Sequence, residues 1–266
     1  MIDITITRKI IAVAVFVCVF CSGGLYVFAA EDMSEISLST AFLTKYIWRG
    51  QNLGNEPVMQ VDGSVSKAGF TFDMWGNYSL AKDKTADSGR YQEFTELDYT
   101  ASYEFNVGDV LKASNIEGVG IFDPLSLTAG YTFYTFPNLD LKADGSYSHE
   151  TMLGISYDVL LQPYFTWYWD VEAGHGSYLQ FGGGHTFDLG NGISSSLGVK
   201  FGYNYQQWTY DRGWSDALMT ADISIPVLKY FTITPLIGYS IILDRDTYNN
   251  VQSNEFYGGI TIGINY

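Results

Sequence analysis

From Ser34 to its end this chain alternates apolar and polar side chains with a period of two, in segments of about 10 to 14 residues. In Glu96 to Phe105, Leu97, Tyr99, Ala101, Tyr103 and Phe105 fall on one face. Glu96, Asp98, Thr100, Ser102 and Glu104 fall on the other. Ile193 to Tyr205 and Pro163 to Glu172 repeat the pattern, the latter with Phe165, Trp167, Trp169 and Val171 against Tyr164, Thr166, Tyr168, Asp170 and Glu172. Slipping such a segment by one residue would exchange both faces, so register is strongly specified. No 3.6-residue periodicity competes with it, and no run of 18 apolar residues follows the first thirty, so no membrane-spanning helix is available there.

The alternation predicts twelve strands, at 36–48, 57–66, 70–80, 94–105, 125–136, 147–159, 163–172, 178–187, 193–205, 217–227, 231–243 and 256–266. A soluble sandwich also has alternating strands, and three features argue instead for a transmembrane antiparallel up-and-down β-barrel. First, tight connections at 67–69, 160–162, 188–192 and 228–230 alternate with longer polar ones at 49–56, 81–93, 137–146, 206–216 and 244–255. Outer-membrane barrels have short periplasmic turns and longer extracellular loops. The 173–177 connection is short for its class, and 106–124 is long on the short side, which predicts a periplasmic insertion. Second, Ile260, Ile262, Ile264 and Tyr266 form an alternating last strand with an aromatic end, the kind of signal read by the outer-membrane assembly machinery. Third, Tyr46, Trp48, Tyr78, Tyr131, Tyr134, Trp167, Trp169, Tyr203, Tyr205 and Trp208 lie at or near strand ends, where membrane interfaces favour amphipathic rings.

Residues 1–29 read as a signal peptide: Arg8 and Lys9, an apolar run from Ile10 to Cys21, then Val27-Phe28-Ala29 as a small-residue cleavage pattern. Residues 30–266 then form a single barrel domain. Both cysteines, Cys18 and Cys21, lie in the leader, which excludes a disulfide framework or a thiolate site from the mature chain. Without Asp3, Arg8 and Lys9 the chain keeps 12 basic and 28 acidic residues, a charge of −16. Nucleic acid is excluded as a partner, because its binders present a basic stripe.

Tyr46-Ile47-Trp48-Arg49-Gly50, followed by Pro57, Gln60 and Gly63, resembles the opening motif of the TorF-type porins, a family of bacterial outer-membrane barrels. Trp75-Gly76-Asn77, Glu96-Leu97-Asp98-Tyr99 with Tyr103, Gly130-Tyr131 with Tyr134 and Pro137, and Glu150, Gly154 and Tyr157 extend the likeness over residues 46–157. The resemblance implies an outer-membrane barrel. It supplies no functional residues.

If the apolar faces meet lipid, parity sends Lys45, Arg49 and Lys200 into the lumen with Asp62, Asp73, Glu96, Asp98, Glu104, Glu150, Asp158, Asp170, Glu172 and Asp222. Ten acids against three bases imply a lumen that attracts cations. Alternatively Lys45 and Arg49 pair with Glu96, Asp98 or Glu150 and plug a barrel whose strand number lies between filled and open ones. The expectation is a channel for small solutes or ions, cation-preferring, in the outer membrane of a Gram-negative bacterium, with lipid and lipopolysaccharide around it. A non-conducting surface barrel acting in adhesion or membrane stabilisation is the alternative, and a lipid hydrolase a further one. The chain is expected not to be an enzyme. His175-Gly176-Ser177 has the spacing of a lipase His–Ser pair but lacks the following Asn-Gly. His149 and His185 have no second His nearby, and no helix follows Gly182-Gly183-Gly184 to make a phosphate site. No cofactor is called for. Asp83, Asp87 and Asp244-Arg245-Asp246 are read as solvated loop charge.

Overall fold

A computed structural model describes residues 35–81, 92–116, 118, 120–139, 145–209 and 211–265. The expected signal peptide, the acids at 83 and 87 and the terminal aromatic at 266 lie outside these.

Fourteen strands form among them: β1 (Glu35–Leu43), β2 (Tyr46–Trp48), β3 (Gln51–Gly54), β4 (Val58–Lys67), β5 (Phe70–Ser79), β6 (Phe94–Asn106), β7 (Leu125–Thr135), β8 (Tyr147–Tyr157), β9 (Tyr164–Asp170), β10 (Gly176–Gly190), β11 (Ile193–Tyr205), β12 (Arg212–Leu228), β13 (Phe231–Ile242) and β14 (Glu255–Asn265). Twelve of them close a barrel, each antiparallel to its neighbours. β1 pairs with β4 on one side and β14 on the other, so no edge remains. β2 and β3 form a separate hairpin.

The period-2 pattern sorts the two faces. One row of mutually opposed residues runs Ser37, Ser64, Asp73, Thr100, Thr132, Glu150 and Asp170 around the inside. A parallel row runs Ala129, Leu153, Trp167, Leu179, Tyr203 and Trp214 around the outside. Leu197 (51 % exposed), Val199 (41 %) and Phe201 (42 %) stand bare along β11 while Glu150 (2 %) and Asp170 (1 %) are buried. A chain that exposes its apolar face and buries its carboxylates is sorted for hydrocarbon outside and water or partners within. Each of the twelve wall strands finds its backbone partners inside the closed sheet, the condition for crossing lipid. No helix among the described residues is long and apolar enough to cross a membrane.

The expected first strand, 36–48, breaks. Thr44 and Lys45 form a bend after β1, and residues 46–48 leave the wall to become the first arm of the β2–β3 hairpin. The 106–124 insertion holds a short helix α1 (Val107–Ala113) and a 3-10 turn (Gly120–Phe122). Asn106 caps the helix through Asp109 N–H. Tyr157 Oη, at the end of β8, donates to the Ile121 carbonyl (2.7 Å) and ties the insertion to the short-turn end, while Lys112 pairs with Asp123 (2.7 Å) within it.

Candidate functional site

The β2–β3 hairpin lies across the lumen in the half nearer the long loops. Its tip is Arg49-Gly50, with φ of 46° and 76°. A two-residue type I′ turn requires positive φ at both central residues. Gly50 meets this without strain, whereas Arg49 adopts it at a cost of roughly 1–2 kcal/mol for an L residue. What surrounds the arginine offsets that cost.

Arg49 Nη1 and Nη2 donate to the two carboxylate oxygens of Glu150 at 2.7 and 2.9 Å, a bidentate fork, and Nη1 also donates to Gln207 Oε1. The guanidinium lies 4.2 Å from the ring centre of Tyr168, 4.5 Å from Trp48 and 4.8 Å from Tyr178. Tyr134 Oη and Gln207 Nε2 complete the shell of Glu150 at 2.9 and 2.7 Å. Burial works against the Arg49 charge, but the Glu150 carboxylate outweighs it, and the guanidinium is held more firmly protonated than usual.

Two more contacts anchor the hairpin. Tyr46 packs on Trp75 of β5, ring centres 5.7 Å apart, and donates to Glu96 Oε2 at 2.8 Å. Burial, then the Glu96 and Asp98 charges, push its phenol well above the usual range, so it remains a donor. Across the lumen, Tyr248, in the 3-10 turn Asp246–Tyr248, donates to the Arg49 carbonyl (2.7 Å) and to Asp216 (3.2 Å). Its phenol is raised too, by burial and then Asp216. Asp216 also accepts from Tyr178 Oη (3.1 Å) and Ser215 Oγ (2.7 Å). The hairpin therefore bridges β5–β6 to β8–β12.

The residues assigned to the lumen by parity fall into three groups. Arg49 meets Glu150 in the plug, reaching it from the hairpin tip rather than from a strand. Lys45 sits in the bend and pairs with Glu255 at the start of β14. Asp170, beside them, accepts from Ser148 Oγ (2.7 Å) and Trp208 Nε1 (3.2 Å) and from the N–H groups of Glu172 and Gly174. Asp62, Asp73, Glu96 and Asp98 form a second group, inward on β4–β6. Asp62 and Asp73 are within hydrogen-bonding reach of each other, and Asp98 Oδ1 is buried without a hydrogen-bond partner. The rest lie apart. Glu104 accepts from Thr128 near the short turns (3.0 Å). Asp222 opposes Ser196 and Leu236. Lys200 opposes Gly182 and Leu218, beside Ser156, Tyr164, Thr186, Ser196 and Thr220 on a cavity of ≈ 550 Å³. Asp158 and Glu172 fall just past β8 and β9, exposed in connections where strand parity no longer aims them.

Sequence reading missed Gln207, Asp216, Tyr248 and Glu255. Asp216 fell in the expected 206–216 connection, but β12 already begins at Arg212 and carries a bulge: Tyr203 pairs with Trp214 and Gly202 with Asp216, so Ser215 is extra. The bulge turns Asp216 inward although Trp214, two residues earlier, faces out. His175 and Ser177 do not form a reactive pair. His175 is exposed in a turn at φ 42°, and Ser177 Oγ accepts from Trp167 Nε1 (3.1 Å).

Solved structures of similar fold include outer-membrane porins and channels. The NanC porin superposes with a TM-score of 0.52 at 10% identity, over 87% of this chain and 98% of its own. The KdgM porin gives 0.51 at 10%, over 86% and 98%. An outer membrane channel from Pseudomonas putida F1 gives 0.50 at 7%, over 91% and 100%. At such identities the likeness establishes the fold: a closed twelve-stranded barrel of the porin type. No family model matches the chain, and no curated protein matches it in sequence.

Proposed function

We propose that this chain is an outer-membrane channel of a Gram-negative bacterium that passes small cations through a lumen narrowed by its own β2–β3 hairpin. Short turns face the periplasm and long loops the exterior, and the final strand is the segment offered to the assembly machinery. Lipid and lipopolysaccharide surround the apolar wall. The motif at residues 46–63 supports placement among the TorF-type porins, and its Tyr-Ile-Trp-Arg-Gly core forms the first arm and the tip of the hairpin across the lumen.

One observation carries the cation preference. The inner wall of β4–β6 presents Asp62, Asp73, Glu96 and Asp98, and the only base within those three strands is Lys67, at the short-turn end. Among the described residues, the two cations at the plug are neutralised, Lys45 by Glu255 and Arg49 by Glu150. Asp62, Asp73 and Asp98 give a one-sided acidic lining that raises the local cation concentration.

In a planar bilayer with a KCl gradient, the reversal potential is expected to show cation preference. Asp62→Asn/Asp73→Asn/Asp98→Asn is expected to move it most of the way to zero with the barrel intact. Anion preference in the unaltered protein would refute the charge argument. A complete lack of conductance steps would favour a second reading, a closed barrel acting through its loops, which the hairpin across the lumen supports.

A further inference from the structure

We infer that the outer wall between β9 and β14 holds one phospholipid of the inner leaflet, its acyl chain seated in a groove that climbs from the short-turn rim. The choice of leaflet rests on the orientation proposed above; the groove itself does not.

The groove is a depression of ≈ 840 Å³ on the apolar face. It follows one register row. Tyr164 opposes Gly182, which sets Pro163 beside Gly183. Gly183 opposes Val199, and the row continues through Met219 and Tyr239 to Phe256. All six of these residues line the groove. Phe181 and Phe201 bank it on the exterior side, one outward position above the row, and Ala221 lies one below. No Asp, Glu, Lys or Arg is among its lining residues.

Its lower end has a local cause. Gly183 carries no side chain, and the connection after β8 settles over it: a Cβ there would stand 2.6 Å from the Leu161 carbonyl oxygen. Gly184 N–H donates to that same carbonyl (2.8 Å), and His185 Nδ1 donates to the Leu160 carbonyl (2.7 Å). The turn therefore closes the groove with two of its backbone acceptors already matched.

Dimensions and course select the occupant. From β9 to β14 the wall is six adjacent strands. Their five spacings of about 4.8 Å make a path of about 24 Å. Strands in such barrels tilt by roughly 35–45°, so a path at right angles to them climbs about 15 Å, half of a hydrocarbon core of ~30 Å. The path starts at Pro163, beside the short turn, and ends at Phe256, the second residue of β14, after a long connection. An acyl chain rooted at the short-turn surface thus reaches the middle of the bilayer along it. Burial alone gives no preference here, because lipid tails are as apolar as Leu. Contact does: an unfilled depression forfeits dispersion along its lining. A flexible chain conforms to an oblique groove, whereas a second barrel fills it only with a ridge of the same course. A lipopolysaccharide chain enters from the opposite surface and meets only the upper end.

Native mass spectrometry tests this on the full barrel folded in phosphatidylethanolamine–phosphatidylglycerol vesicles and transferred to detergent. One retained phospholipid per chain is expected. Val199→Phe and Ala221→Phe each put a ring into the groove from the lipid side, and each is expected to lower the retained fraction about tenfold. Leu153→Phe, on the outer face of β8 and away from the groove, should retain lipid as the parent does. The proposal is overturned by folded parent protein that carries no phospholipid, or by parent-like retention in both groove variants. Displacement of the phospholipid by added lipopolysaccharide would overturn the choice of leaflet. A parent that sediments as a dimer and a Val199→Phe variant that sediments as a monomer would give the groove to a second copy instead. Retention without conductance would sink the channel reading and leave the groove standing; conductance without retention would do the reverse.

Discussion

Arg49→Ala is expected to raise single-channel conductance several-fold and to destabilise the barrel by about 3–5 kcal/mol, the cost of leaving one partner of a buried ion pair alone. Glu150, 2 % exposed beside the arginine, would be left with two neutral donors, Tyr134 and Gln207, in place of a bidentate cation. The hairpin tip would also lose the group that holds it among Trp48, Tyr168 and Tyr178. Stability is read by denaturant unfolding in vesicles, followed by tryptophan fluorescence, and conductance in a planar bilayer. The double variant Arg49→Ala/Glu150→Ala should be less destabilised than the sum of the single ones, because removing both charges leaves neither uncompensated. It should still conduct more than the parent. If Arg49→Ala loses stability but conducts as before, the hairpin is a structural brace and the constriction lies elsewhere.

Gly50→Val should displace the hairpin without touching a charge. At φ +76° the residue sits where L side chains rarely go, and a Cβ there would stand 2.5 Å from Tyr248 Oη and 2.7 Å from Asp216 Cβ. The backbone alone contributes roughly 1–2 kcal/mol of strain, and the overlap adds to it because Tyr248 (2 % exposed) and Asp216 (1 %) have no space to retreat into. The expected result is a barrel that still inserts, since all twelve wall strands are intact, but opens more often and is cleaved by external protease within residues 46–54. Parent-like protection of the hairpin would show that the tip tolerates a side chain and is less tightly seated than its contacts imply.

These two residues were visible in the chain for different reasons than the ones that matter. The Tyr-Ile-Trp-Arg-Gly motif stood out by resemblance, and parity aimed Arg49 inward from a strand that in fact ends at Leu43. It reaches the lumen by another route, from a hairpin folded back inside. Asp62, Asp73, Glu96, Asp98, Glu150 and Asp170 were legible as inward because each sits within an unbroken alternation. Asp158 and Glu172 were not, because alternation carries no information once the strand has ended. Asp216 escaped because the expected strand began at 217 and left it in the 206–216 connection, whereas β12 starts at Arg212.

The amino-acid order alone determines where the strands lie, which face of each is greasy, and that the sheet must close. These follow from side chains two positions apart, and a segment cannot satisfy both hydrocarbon and water in any other register. Only the tertiary structure decides what fills the lumen. Arg49 and Glu150 are 101 residues apart, and Arg49 and Tyr248 are 199 apart. Their meeting depends on the girth of the closed barrel and on a two-residue bend at 44–45. The local pattern runs through that bend without a break, because a strand continuing upward and a hairpin folding inward bury their alternate side chains equally well.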